Sequence, residues 1–175
     1  VGCSCHYDPL EPMRRNNSAN IVAATTDLAY ALIPLPDGTK EPIWIETAQN
    51  YLIGVIIYYY YLDINFPEIM MLILNTPVTV MIKNIMHDDV EEAALAKIFI
   101  NKLTDVDPKI VSNIGMELNR LAFFAADQNL LSLLAPTECS NLLDWYAIST
   151  SSEPIDVFIS VPESKLDYYK PILWL

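Results

Sequence analysis

Most of the chemistry this sequence offers sits in one short stretch, where His87, Asp88, Asp89, Glu91 and Glu92 set one imidazole among four carboxylates. Such a group can ligate a divalent cation through oxygen, or move a proton at the imidazole, so a small metal-assisted hydrolase could be built around His87. Two plainer roles fit the same residues. Carboxylates in the first turn of a helix complement its dipole, and an exposed acidic junction can dock a basic protein. A second cluster, Cys3, Cys5 and His6, carries ligand types that zinc prefers. One C-x-C-H lacks the second half-site of a tetrahedron unless His87 or Cys139 reaches it, and a short strand with ordinary thiols explains it equally. Cys139 and Ser140 lie near Asp144, but no third group stands at a spacing that would complete a nucleophile and its base.

The four glycines, Gly2, Gly38, Gly54 and Gly115, are too scattered to cradle a phosphate, and no Gly-Lys-Ser/Thr occurs. The expectation is a segment that is not an enzyme, with no catalytic, cofactor-binding or metal residue. Its candidate partner-docking residues are Asp88, Asp89, Glu91 and Glu92.

Composition narrows the partner. The formal net charge of -12 opposes a broad electropositive surface for nucleic-acid phosphates, so protein docking is favoured over direct DNA contact. The three cysteines fit no disulfide framework, which points to a reducing compartment. At 175 residues the chain suits one domain with a true core. Residues 1–15 show no signal-peptide pattern, and the absence of an initial methionine suggests a segment of a longer polypeptide.

The element that must position these residues is the stretch 41–62, EPIWIETAQNYLIGVIIYYYYL, apolar on every side over its second half. A helix of that kind needs covering by other helices or by lipid. Its uninterrupted run of 12 residues falls short of the roughly 20 required to span a bilayer, so the spacing predicts a central helix of a soluble helical domain. A membrane-associated helical protein using residues 51–74 is the alternative. The tyrosines at 58–61 face all sides of the helix, so at least one hydroxyl must reach water or a partner.

Around this helix the signals are frequent. Ser18 can cap a helix through Ile33, with Ile21, Ala24, Leu28, Ala31 and Leu32 on one face. Pro36-Asp37-Gly38 is a turn. Pro67 and Thr76-Pro77 open two short helices, and Glu91 and Glu92 open a third that reaches about Leu103. Asp107-Pro108 starts a long helix through Phe123 or Phe124, striped by Ile110, Ile114, Leu118 and Leu121, and Asp127 begins a last one to Leu134. Residues 137–154 are polar, anchored by Trp145 and Tyr146. Residues 155–161, IDVFISV, read as a buried strand bounded by prolines, and residues 3–7 as a possible short one. Pro162 and Glu163 open a terminal helix, kinked or interrupted at Pro171. The fold class is therefore mainly α: a multi-helix domain at 16–150, an N-terminal flank at 1–15, and a C-terminal strand and helix at 151–175. One or two terminal strands would be stubs of an adjoining α/β domain.

Several segments together carry a resemblance. Tyr7-Asp8-Pro9-Leu10, then Pro42-Ile43-Trp44 with Ala48, Asn50, Leu52, Gly54 and Tyr58, resembles type IV secretion coupling proteins of the TraG/TraD family. So does the helix carrying Met116, Leu118, Leu121, Phe123 and Phe124. The close is similar too: Asp144-Trp145, then 155–161 with Pro162-Glu163, then Leu166, Tyr169, Pro171, Ile172 and Leu173. The resemblance covers nearly the whole chain in the expected order. It implies an all-α domain inserted in a RecA-like ATPase, with Trp44, Gly54, Trp145 and Pro162 as framework residues. In that family the ATPase is a hexameric ring at the bacterial inner membrane that uses ATP and Mg, and the all-α domain selects substrates on the cytoplasmic face. Those substrates are a relaxase with its DNA strand, or effector proteins, delivered directly or through an adaptor. The nucleotide-binding motifs and N-terminal membrane helices of the family are not in this sequence, so no ATPase or membrane-anchoring residue is carried over. The expected fragment is soluble and monomeric.

Overall fold

The computed structural model describes residues 6–15, 21–91, 93–105, 107–134 and 143–173. Helices α1 (Glu11–Arg15), α2 (Ile21–Leu32), α3 (Ile43–Tyr61), α4 (Phe66–Asn75), α5 (Val78–His87) and α6 (Ala93–Ile100) form the first part. They are followed by α7 (Pro108–Leu118), α8 (Ala122–Ala126), α9 (Gln128–Leu134), α10 (Trp145–Thr150) and α11 (Leu166–Leu173). The chain is mainly helical.

The axis of the arrangement is α3. Its 19 residues give a rod of about 28 Å at the helical rise, and every residue from Tyr51 to Tyr58 is buried. α2, α6 and α7 pack along it, with α4 and α5 near its C-terminal end. α3 comes close to α6 at Gly54, where a Cβ would stand 2.7 Å from Ile100 Cγ1, 2.8 Å from its Cδ1 and 3.2 Å from the Ala96 carbonyl oxygen. A side chain there would force Ile100 to repack and the Ala96 carbonyl to give way. The buried Gln49 amide donates to the Ile33 carbonyl (2.7 Å), tying α3 to the end of α2.

Helix boundaries follow the local chemistry. Asn65 caps α4 by accepting from the Glu68 amide (3.0 Å), Asp107 caps α7 by accepting from Lys109 N (2.7 Å), and Asp127 caps α9 by accepting from Asn129 N and Leu130 N. On α2 the buried face is Ile21, Thr25, Leu28, Ala29 and Leu32, so Ala24 and Ala31 are half-buried while Thr25 turns inward with its hydroxyl on the Ile21 carbonyl (2.6 Å). Ser18 lies outside the described residues. At the N-terminal end Asp8 is 1% exposed: one carboxylate oxygen accepts from Leu10 N (3.0 Å) and the other pairs with Arg14.

Three expectations differ from what is found. The long helix from Pro108 stops at Leu118, where a 3-10 turn (Asn119–Leu121) redirects the chain into α8. The region is rich in weak helix formers, Ser112, Asn113, Gly115 and Asn119, and the turn lets Phe124 meet Phe66 edge to face at 5.6 Å. Glu91 precedes α6 rather than sitting in its first turn. The polar stretch before Pro154 holds a short helix, α10, because Asp144 accepts from Ala147 N (2.8 Å) and caps it.

The largest correction concerns the strands. No strand occurs among the described residues, and residues 155–160 lie open to solvent without regular structure, with Phe158 91% and Ile159 62% exposed. A strand needs a neighbouring strand to take its N–H and C=O groups, and the helical body supplies none. At the other end His6 makes a single bridge: its carbonyl accepts from Leu143 N (2.7 Å), and Tyr7 N donates to the Leu133 carbonyl (2.9 Å). Cys3 and Cys5 lie outside the described residues. No single described helix is long and apolar enough to cross a membrane, and α4 and α5, which together would be, meet at 119°.

Candidate docking surface

The acidic stretch forms the link between α5 and α6. Its first carboxylate is not a free surface group: Asp88 Oδ2 accepts from the Tyr58 hydroxyl (2.5 Å), Oδ1 accepts from Val90 N (3.1 Å), and the Asp88 carbonyl accepts from Lys97 Nζ (2.5 Å). The link is thereby pinned to the central helix on one side and to α6 on the other. The Tyr58 hydroxyl, and then the Val90 N–H, lower the Asp88 carboxyl below the ordinary aspartate value. Tyr58 moves the opposite way, raised by burial and then by its carboxylate partner.

Asp89, Val90 and Glu91 project from this pinned link and are exposed, and Glu92 lies outside the described residues. Of the four carboxylates singled out from sequence, one is thus an internal fastener and two are presented outward. His87 closes α5 with its Nδ1 2.8 Å from the Lys83 carbonyl. Among the described residues no three His, Cys, Asp or Glu side chains are grouped to hold a metal ion. His6 Nδ1 lies 2.8 Å from the Ser132 carbonyl. Cys139 and Ser140 lie outside the described residues, and Asp144 is the cap of α10.

The tyrosine run resolves residue by residue. Tyr58 meets Asp88, Tyr59 donates to Met81 Sδ (3.3 Å), and Tyr60 and Tyr61 are half-buried and meet edge to face at 5.6 Å. Two turns before Tyr58, Tyr51 is fully buried and its hydroxyl has no partner among the described residues; burial and the nearby Tyr59 raise it.

A second surface feature was not expected from sequence. Between the start of α3 and the outer side of α7, Glu41, Trp44, Lys109, Asn113, Met116 and Glu117 line an open groove of about 260 Å³. Trp44 Nε1 donates to Glu41 Oε2 (2.8 Å), which orients that carboxylate. Met116 is 59% exposed. Its signal in the sequence is its phase: it falls off the stripe of Ile110, Ile114 and Leu118, an apolar side chain with no core to enter. Of the other framework residues, Gly54 lies at the α3–α6 contact, Trp145 opens α10, and Pro162 precedes the 3-10 turn Glu163–Lys165. Comparison of the chain with protein families, with curated proteins and with solved structures finds no match.

Proposed function

We propose that this chain is a protein-docking module, the substrate-recognition domain of a type IV secretion coupling protein. The observation that supports it best is the acidic link, held at a fixed height on the helical body by Tyr58 and Lys97 with Asp89 and Glu91 pointing outward. Fixed charges lose little freedom on binding, so they can contribute to recognition and to steering of a basic partner. The partner class is a relaxase, an effector protein or an adaptor; a chain of net charge -12 is poorly suited to touch DNA itself.

The exposed stretch 155–160 supports the module reading from another side. Ile155, Val157, Phe158 and Ile159 are exposed, and Val161 is half-buried. A β-branched run with open backbone groups, leading through Pro162 into α11, suits a strand completing the sheet of an adjoining α/β domain. That domain would be the ATPase of the parent protein, holding ATP and Mg in a hexamer on the cytoplasmic face of the inner membrane. The module itself contributes binding and no catalysis.

The test is a salt series. Purified chain should bind a basic relaxase or effector with an affinity that falls several-fold as salt rises from about 50 to 200 mM, as exposed charges become screened. Asp89→Lys with Glu91→Lys should abolish that salt dependence while leaving the circular-dichroism spectrum unchanged. Undiminished binding by the double variant removes the link as the docking surface.

A further inference from the structure

We propose that the peptide bond between Phe158 and Ile159 is a proteolytic processing site, cut by an endoprotease of chymotrypsin-like specificity, and that the cut frees α11 from the helical body. A protease has to lay several residues of a single chain into its cleft, so a bond inside a helix is cut only after that helix opens. Residues 155–161 need no such opening. They have no regular structure, and none of them makes a hydrogen bond among the described residues. Prolines stand only at 154 and 162, so every residue from Ile155 to Val161 has a main-chain N–H to offer a cleft, as a peptide does when it adds to a sheet edge. The inference uses neither the acidic link nor its partner, and it concerns the chain with this stretch uncovered.

Phe158 names the enzyme class. It is the most exposed large hydrophobic side chain among the described residues, and its ring fits the hydrophobic slot that chymotrypsin uses for specificity. Tyr30 and Tyr146 are exposed as well, but they lie in α2 and α10. Leu35 lies in a loop, yet the next residue is Pro36, which has no N–H. Beyond the bond the chain is lightly held. Of the side chains described in α11, Leu166 and Leu173 are exposed. Tyr169 is half-buried: its hydroxyl donates to Asp127 Oδ2, and Lys165 Nζ stands 5.9 Å from its ring centre. While the chain is continuous, the connection keeps α11 at a high effective concentration beside its seat on α2. Hydrolysis adds one water across the C–N bond, leaving a carboxylate on Phe158 and an amine on Ile159, and that advantage is lost.

The probe is chymotrypsin, added in small amount to the full 175-residue chain under native conditions and followed by intact-mass spectrometry. The expected first products are residues 1–158 and 159–175, their masses summing to that of the chain plus one water, with this cut at least about tenfold faster than the next. Phe158→Lys, an exposed substitution that leaves folding unchanged, should lose the chymotryptic cut and gain a tryptic one at the same bond, because the specificity pocket of trypsin carries an aspartate. A first chymotryptic cut at any other bond, or Phe158→Lys left whole at this bond by trypsin, overturns the processing site. Gel filtration of the cut chain should separate the peptide 159–175 from the helical body. Co-elution of the two at micromolar concentration overturns the release of α11.

Discussion

Asp88 shows how one side chain can change role once its neighbours are known. In sequence it belongs with three other carboxylates. In the fold it is fastened from 30 positions away by Tyr58, a pairing that no local spacing announces. The requirement was legible from Tyr58's side, because a run of four tyrosines cannot bury every hydroxyl unpartnered; the identity of the acceptor was not. The pairing makes a pH prediction. Asp88 is lowered in the folded chain, so its contribution is complete above the ordinary aspartate value of about 3.9 and is lost as pH falls through the lower folded value. Acid unfolding followed by circular dichroism should therefore show the wild type losing stability more steeply below pH 4 than Asp88→Asn, which has no proton to take up. Parallel acid curves would mean that the carboxylate contributes nothing through its charge.

The elements divide by how much of their reason is local. Caps at Asn65, Asp107 and Asp127 are written in their own sequences, and α4, α7 and α9 begin where those residues place them. α10 escaped notice because a six-residue helix is too short to show a period and depends on the single cap at Asp144. The stop at Leu118 was hidden for a different reason: the apolar stripe continues to Leu121, but the turn serves Phe123 and Phe124, which stack at 4.3 Å, and the contact of Phe124 with Phe66. Gly54 is the element-scale feature with the sharpest test. Gly54→Ala gains about 1 kcal/mol of helix propensity, but its methyl would meet Ile100 and the Ala96 carbonyl, at an overpacking cost of about 1 to 3 kcal/mol. A net loss in denaturant stability is expected, and it should shrink in an Ile100→Ala background. Additive effects of the two substitutions would show that α3 and α6 are not in register at this point.

At the scale of the molecule, the helical body accounts for its own core and leaves residues 155–161 outside it. The pattern reads as a buried strand and in the fold is neither strand nor buried, because a sequence states that a strand wants cover without stating which polypeptide provides it. Phe158→Ser with Ile159→Ser should consequently change the body's thermal stability by less than about 0.5 kcal/mol, the ordinary range for exposed positions. A loss of several kcal/mol would show that the stretch packs on the helices after all. The hydrogen bond between the His6 carbonyl and Leu143 N has a consequence of another kind. It brings residues 6 and 143 side by side, while the chain beyond them returns to the helices, where α11 packs on α2 and the Tyr169 hydroxyl donates to Asp127 Oδ2. The stretch between residue 143 and α11, which includes 155–161, is thus an excursion held at both ends on the helices rather than a loose tail.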